Sequence, residues 1–214
     1  DGYLGLGMHR FAPMQPDPPP ESISAYPNVC VRISRLSTNA FEWSLKTEQD
    51  QPRESDAALV GMACGAGHVL AVCKDGKMLA WGLNDKGQLG LGDDRQRQEA
   101  CEVYAFPSGI TTKVVAVACG MDHSLGITDA DELISWGSNG HGQLGLGNTK
   151  GRNSPQRIDC LTGKGLRAIC AGEGHSLALV DTGGLHAFGA NHRGQLGIGG
   201  RMVARSPVVI AALK

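Results

Sequence analysis

Short apolar runs separated by polar or glycine-rich turns dominate the hydrophobic pattern of the chain. The first clear set covers residues 59–62, 69–72 and 78–81, and the dipeptide Asp75-Gly76 lies between the last two runs. Runs of this length between turns predict buried β-strands, and Asp-Gly is typical of a tight hairpin because both residues tolerate positive φ. No long stretch has apolar residues at helical spacing. A weaker fourth strand is predicted after each set, for example at 208–210.

The same set of runs occurs three times, in the windows 59–93, 114–148 and 166–200, which align without a gap. Each window contains a histidine, an aromatic residue, an asparagine and a closing GQLG-x-G segment. These anchors are His68, His123 and His175; Trp81, Trp136 and Phe188; and Asn84, Asn139 and Asn191. Four short strands in a unit of about 50 residues are typical of a propeller blade. We expect the aromatic anchors to be buried between blades.

The second window carries a family resemblance. Its segments ACGMDHSL at 118–125, WGSN at 136–139 and GQLGLG at 142–147 resemble the RCC1 repeat. The resemblance implies an all-β fold, a ring of about seven four-stranded blades, of which this chain holds a part. We predict a partial β-propeller of about three full blades plus part of a fourth. Its repeats are predicted at 59–113, 114–165 and 166–214, with the end of a preceding blade in 1–58.

The segment 1–58 departs from the repeat. Residues 2–7 match the end of the motif, but a proline-rich stretch at 13–20 and a polar stretch at 42–56 follow. Such segments resist packing, which predicts an inserted loop with one strand near 29–33, although a degenerate repeat is an alternative. The chain has 214 residues, too few for a seven-blade ring. We therefore expect self-association through the terminal blades, or further blades from the same protein.

Composition narrows the classes of function. Lys and Arg number 20 against 21 Asp and Glu, without the basic excess expected of a nucleic-acid binder. The seven cysteines form no CxxC pair, so no zinc site is predicted, and their positions in apolar runs suggest reduced thiols. We expect an intracellular protein, in the cytoplasm or nucleus, because reduced thiols are typical there. No apolar stretch is long enough for a membrane helix.

Three motifs that could carry chemistry are better explained structurally. The GxGxxG match at 140–145 lacks a following helix, which a dinucleotide site requires. The three anchor histidines lie in separate blades, so each is predicted to bond a neighbouring turn rather than share a metal. In Asp122-His123-Ser124, adjacent strand residues alternate faces and cannot form a catalytic relay. No catalytic residue, metal or cofactor is predicted, and the chain is not expected to be an enzyme.

One polar pattern suggests binding. Basic residues follow each GQLG-x-G segment: Arg95, Arg97, Lys150, Arg152, Arg201 and Arg205. Equivalent loops of a propeller share one face, so these residues predict a basic arc for a protein partner, although solvated loops would show the same pattern.

We therefore predict a protein-interaction scaffold. The resemblance also implies an alternative, guanine-nucleotide exchange on a Ran-like small GTPase. A regulatory propeller of a larger multidomain protein is a third possibility.

Overall fold

Three large antiparallel sheets and one two-stranded sheet, formed by residues 36–37 and 40–41, make up the part of the chain that the structure describes. This structure, a computed structural model, describes residues 58–110 and 113–211 in full, together with the backbone of four short strands between residues 30 and 45. Each of the three large sheets contains one set of four consecutive strands, and we call these sets blades 1 to 3. Consecutive strands pair with each other in every blade, as the turn pattern predicts.

The strand bounds repeat closely from blade to blade. The four short strands are β1 Cys30–Arg32, β2 Leu36–Ser37, β3 Ala40–Phe41 and β4 Ser44–Leu45. Blade 1 has β5 Leu59–Cys64, β6 His68–Cys73, β7 Met78–Gly82 and β8 Arg97–Glu102. Blade 2 has β9 Val114–Cys119, β10 His123–Thr128, β11 Leu133–Gly137 and β12 Arg152–Arg157. Blade 3 has β13 Leu166–Ala171, β14 His175–Val180, β15 Leu185–Gly189 and β16 Ala204–Val209, and a 3-10 helix, Asp159–Leu161, precedes it.

The fourth strand of a blade begins earlier in the structure than the sequence pattern predicts. The apolar pattern predicts the last of them at 208–210, but β16 begins four residues earlier, at Ala204. In blades 1 and 2 the equivalent strands begin at Arg97 and Arg152, five residues after the last glycine of the GQLG-x-G segment. These strands are mostly polar and half-exposed, so hydrophobic periodicity detects them poorly.

Blade 1 is wider than the other blades. Strand β1 pairs with the outer edge of β8, and β4 pairs with β1, which gives a six-stranded sheet. Strand β1 lies within the strand predicted at 29–33, whereas β2, β3 and β4 were missed because strands of two residues show no periodicity. The other predictions for 1–58, including the end of a preceding blade, lie outside the described residues.

The blades pack through two apolar seams. Between blades 1 and 2, Leu70 and Met78 of blade 1 are buried with Ile134 and Trp136 of blade 2. Between blades 2 and 3, an equivalent cluster includes Phe188. Each seam removes a full aromatic ring from water, which stabilises the contact by about 2–3 kcal/mol.

The three aromatic anchors are not equally buried. Trp136 and Phe188 are both 0% exposed and pack on the preceding blade. Trp81 is only half-buried, because it lies on the side of blade 1 that faces away from blade 2. The expectation of burial between blades therefore holds for two of the three anchors.

In every blade, the connections between the first and second strands and between the third and fourth strands emerge at the same end, which we call the loop face. The GQLG-x-G segments lie on this face. Across 58–110 and 113–211, no helix is long and apolar enough to span a bilayer.

Candidate functional site

The GQLG-x-G loops are held by the recurring asparagines. In each blade the asparagine side-chain oxygen accepts a hydrogen bond from the leucine N–H of the loop, at 2.9 Å in blade 1 and 3.0 Å in blades 2 and 3. The amide group of Asn84 also donates to the carbonyl of Asp93, and that of Asn139 to the carbonyl of Asn148. These asparagines are at most 2% exposed. The sequence pattern detected them but did not reveal that each one holds its loop closed.

The anchor histidines connect neighbouring blades. His68 Nε2 lies 2.9 Å from Ser124 Oγ in blade 2, and Ser124 Oγ donates to the carbonyl of Gln88 in blade 1, at 2.8 Å. The same arrangement joins blades 2 and 3 through His123, Ser176 and the Gln143 carbonyl, at 2.9 and 2.7 Å. We call this arrangement the seam relay. The sequence analysis expected a histidine bond to a turn, whereas the structure places a serine between the histidine and the turn.

The seam relay fixes the tautomer of each histidine. A serine hydroxyl has one proton, and here it is donated to the glutamine carbonyl, so the imidazole Nε2 must carry the proton that the serine accepts. The Nδ1 atoms of His68 and His123 then hold a lone pair, and they have no partner within the described parts of the chain. Burial lowers the pKa of both histidines to about 4, because a proton on Nδ1 would place a charge in an apolar seam.

The structure also shows the surroundings of the other motifs singled out in the sequence. His123 bonds Ser176 rather than its neighbour Ser124, so Asp122-His123-Ser124 does not form a relay. Gly142 and Gly145 have φ of 79° and 68° and form turns, with no helix starting there. In the described ranges, no three His, Cys, Asp or Glu side chains are placed to hold a metal ion together.

The six basic residues lie on or beside the loop face, but in different settings. Arg97 forms an ion pair with Asp93, at 2.7 Å, and donates to the carbonyl of Arg95. Arg152 occupies the equivalent strand position and donates to the carbonyls of Lys150 and Gly151. Position 148 holds asparagine where blade 1 has Asp93. Among residues with described side chains, no carboxylate pairs with Arg95, Lys150, Arg152, Arg201 or Arg205.

The third blade does not repeat the basic pair in register. Ala204 faces Gly189 across the sheet, in the place that Arg97 and Arg152 occupy in blades 1 and 2. Arg205 instead corresponds to Asn153, because Gly147 bonds the Arg205 carbonyl as Gly92 bonds that of Asn153. The sequence analysis paired residues by their spacing alone, so it missed this shift.

A polar cleft lies on the loop face between blades 1 and 2. Its volume is about 480 Å³, and the loops that follow β7 and β11 line it. Its charged lining residues are Asp85, Lys86, Asp94 and Arg152. Asp85 and Lys86 form an ion pair at 3.2 Å, which leaves Asp94 and Arg152 as the charges without a salt-bridge partner in the described chain. A cleft with this lining suits a polar peptide segment rather than an apolar ligand.

Three meander sheets packed side by side, each joined to the next by a seam, define the protein as a β-propeller protein with a partial ring. It belongs to the regulator of chromosome condensation (RCC1) repeat family. One repeat description matches residues 75–127 and 131–179, and a second matches 60–88, 114–143 and 166–195.

Curated relatives share the repeats at higher identity than the solved structures do. The chain is 40% identical over 161 residues to the human probable E3 ubiquitin-protein ligase HERC6, covering 72% of this chain and 15% of that protein. It is 40% identical over 143 residues to mouse HERC4, covering 67% of this chain and 13% of that protein. The chain thus spans a small part of the length of these relatives.

Solved structures share the fold. Human WBSCR16 has a TM-score of 0.62 at 28% identity, covering 74% of this chain and 42% of that one. Prp20p of Saccharomyces cerevisiae, the yeast RCC1, has a TM-score of 0.61 at 22% identity, covering 74% of this chain and 40% of that one.

Proposed function

We propose that the chain is a non-catalytic protein-interaction module whose binding surface is the loop face. The observation that supports this most directly is a set of five cations on or beside the loop face that have no salt-bridge partner among the described side chains: Arg95, Lys150, Arg152, Arg201 and Arg205. Of these five, Arg152 lines the cleft. Arg97 is left out of this set because Asp93 neutralises it. Loops held on a rigid scaffold are common recognition surfaces, and unpaired surface cations favour an acidic partner segment.

Arg152 is the central residue of this proposal. It lines the cleft, and its guanidinium is held in place by two carbonyls of its own loop rather than by a carboxylate. An acidic side chain of a partner could accept from the remaining N–H groups of this guanidinium in a bidentate pair. The neighbouring Asp94 would select against a purely acidic run and in favour of a segment of mixed charge.

Charge reversal on the loop face tests the proposal. We expect Arg152→Glu and Arg95→Glu each to weaken binding of a fluorescein-labelled peptide of mixed charge, in which glutamates alternate with lysines, and of partners captured by crosslinking, by about tenfold at low salt. The difference should shrink at ~0.5 M salt, where exposed charges are screened. Fluorescence anisotropy and quantitative mass spectrometry are the measurements.

The matched control is Lys164→Glu, which makes the same change of charge on an exposed residue of the connection between β12 and β13, at the opposite end of the blades. It should leave binding unchanged. Equal losses in the control and in both loop-face variants would reject a specific loop-face site. A nucleotide-release assay on a panel of Ran-like GTPases tests the alternative function, and accelerated release would favour exchange activity instead.

A second role is favoured by the identity to HERC6 and HERC4. Both are named probable E3 ubiquitin-protein ligases, and this chain matches 13–15% of their length. We propose that the module serves as the partner-binding part of a larger ligase of this kind. The full open reading frame tests this role, since it would encode a ligase domain in the same polypeptide.

A further inference from the structure

In the described part of the chain, an additional strand pairs with the outer edge of blade 1 but with the outer edge of neither other blade. Strand β1 runs antiparallel to β8, with Cys30 opposite Cys101 and Val31 opposite Ala100. Strands β12 and β16 are the last strands of their sheets. An outer strand normally offers backbone groups that could pair with a further strand. The three blades share one strand order, so the difference has a local cause.

Each outer strand has an equivalent position at which the backbone N–H points away from the blade. The N–H groups of Val103, Ile158 and Ile210 donate inward, to the third strand of their own blade. The direction of the N–H alternates along an antiparallel strand, so the residue three positions earlier in each sequence points its backbone nitrogen outward. These residues are Ala100 in blade 1, Pro155 in blade 2 and Pro207 in blade 3.

Proline at this position opposes the addition of a strand. Proline has no N–H to donate, and its ring lies where the carbonyl of an added strand would approach. Pro155 and Pro207 would therefore interrupt the ladder that a strand in the register of β1 requires. Ala100 retains its N–H and lies directly opposite Val31. The residues at this position thus permit strand addition at blade 1 and oppose it at blades 2 and 3.

The contact between β1 and β8 is short and joined to the blade by a long connection. It consists of two opposed residue pairs. Strand β4 pairs with β1 and would move with it, and residues 46–58 separate the end of β4 from the start of β5. Strand β8 of a second copy offers the same backbone edge to β1. Pairing between two copies would therefore form the same backbone hydrogen bonds as pairing within one chain.

We propose that the outer edge of blade 1 is a strand-exchange site, at which β1 of a second copy of this chain replaces β1 of the same chain, and that Pro155 and Pro207 restrict strand addition to this edge. The connection between β4 and β5 favours pairing within one chain, because it gives β1 an effective concentration of about 1 mM. Exchange should become frequent as the protein concentration approaches this value. This route of self-association uses a sheet edge, not the terminal blades that the sequence analysis expected.

Cross-linking between isotopically distinct copies tests the exchange. Full chains of natural isotope content and full chains labelled with heavy nitrogen are mixed in equal amounts, equilibrated, and oxidised with copper phenanthroline. A disulfide between Cys30 and Cys101 reports the pairing of β1 with β8, because the two residues lie opposite each other. Mass spectrometry separates cross-links that join a light to a heavy peptide from those within one isotope. We expect the mixed form to increase from a trace at ~10 µM protein to about a quarter of these cross-links at ~1 mM.

Matched variants test the prolines. Gln156 is the blade 2 equivalent of Cys101, since they lie opposite Ser135 and Ala80 in their sheets. Gln156→Cys alone and Gln156→Cys combined with Pro155→Ala therefore differ only at the proline. We expect the disulfide between Cys30 and the cysteine introduced at position 156 to be about tenfold more abundant without the proline.

The reverse change removes the permissive residue of blade 1. Ala100→Pro should lower the yield of the disulfide between Cys30 and Cys101 by about tenfold, in the light, heavy and mixed forms alike. Ala100 is 4% exposed, so thermal denaturation verifies that this variant folds. The pair of variants at position 156 tests the same rule in a blade where no residue of blade 1 is changed.

Three outcomes would overturn the proposal. Cross-links within one isotope only, at every protein concentration, would show that β1 stays on its own chain. Equal cross-linking at position 156 with and without Pro155 would show that the proline does not close the edge. Mixed cross-links at unchanged yield in a folded Ala100→Pro variant would show that the thiols meet by collision and not through strand pairing.

Discussion

At the residue scale, a recurring glycine permits the histidine to reach the next blade. A Cβ atom on Gly120 would lie 2.1 Å from the ring of His123 and 2.5 Å from the carbonyl oxygen of Gly172 in blade 3. Both distances are far below van der Waals contact. The carbonyl oxygen of Gly172 belongs to the backbone of a strand connection in blade 3, so it cannot move aside unless blade 3 shifts. Glycine is required at this position by close packing, not by a positive φ.

This packing predicts the effect of adding one methyl group. Gly120→Ala should destabilise the protein by about 3 kcal/mol, because it overpacks the seam of blades 2 and 3. Urea denaturation followed by circular dichroism measures the change. The matched control is Gly140→Ala, where an added Cβ has no atom within 4 Å, and it should cost no more than about 0.5 kcal/mol. Similar losses in both variants would contradict the packing argument.

The buried histidines predict a loss of stability in mild acid. The pKa of His68 and of His123 is lowered from 6.5 to about 4, so the unfolded chain binds more protons than the folded one between these values. Stability should therefore be complete above pH 7 and fall as the pH drops from 6.5 towards 4, by about 2 kcal/mol per histidine at pH 5.

Histidine variants isolate this contribution to the pH dependence. His123→Gln should lower stability at pH 7 but reduce the slope of stability against pH between 7 and 5, measured by urea denaturation at each pH. His68→Gln should reduce the slope by a similar amount, because burial lowers the pKa of both histidines to about 4. An unchanged slope in His123→Gln would show that the acid sensitivity has another source.

At the element scale, the strands β10 and β14 each carry one serine that joins two blades. Ser124→Ala should cost about 2 kcal/mol, because it leaves the buried His68 Nε2–H and the Gln88 carbonyl without this partner. The exposed Ser108 provides a matched control, and Ser108→Ala should be close to neutral. Thermal and urea denaturation measure both.

A double-mutant cycle assigns the loss to the relay. Combining Ser124→Ala with His68→Leu should cost less than the sum of the single variants, with a coupling of about 1 kcal/mol or more. Full additivity would mean that the two side chains act separately and that the relay does not stabilise the seam.

At the scale of the whole molecule, the arrangement of blades determines which cysteines are accessible. Cys64, Cys160 and Cys170 are exposed, whereas Cys73 and Cys101 are buried and Cys119 is half-buried in the seam of blades 1 and 2. Burial raises the pKa of Cys73 to about 11 and that of Cys119 to about 12, so little reactive thiolate forms at neutral pH.

We therefore expect two classes of thiol. Maleimide should label Cys64, Cys160 and Cys170 rapidly in the native protein at pH 7, and label Cys73, Cys101 and Cys119 only after unfolding. Peptide mass spectrometry over time separates the classes. Labelling of Cys73 as fast as that of Cys160 would contradict the packing of the blades.

Much of this fold depends on interactions between residues that are close in the chain, and it could therefore be predicted from the sequence. Apolar runs such as 69–72, the Asp75-Gly76 turn and the recurring anchor histidines determine four-stranded units, because each strand pairs with its neighbour in the chain. Family membership follows from the same recurring residues. The candidate binding residues could be predicted only as a set of basic loop positions.

The tertiary structure alone decided which side chains meet across a seam. That His68 reaches Ser124 and that Trp81 is more exposed than Trp136 both depend on which blade is adjacent. Repeat spacing assigns Trp81 and Trp136 to equivalent positions. The burial and the hydrogen bonds of each side chain depend on whether a neighbouring blade packs against that position. The sequence by itself therefore determined the blade and the positions of its charges, because both are local. Packing between blades determined which side chains are buried and which hydrogen bonds join one blade to the next.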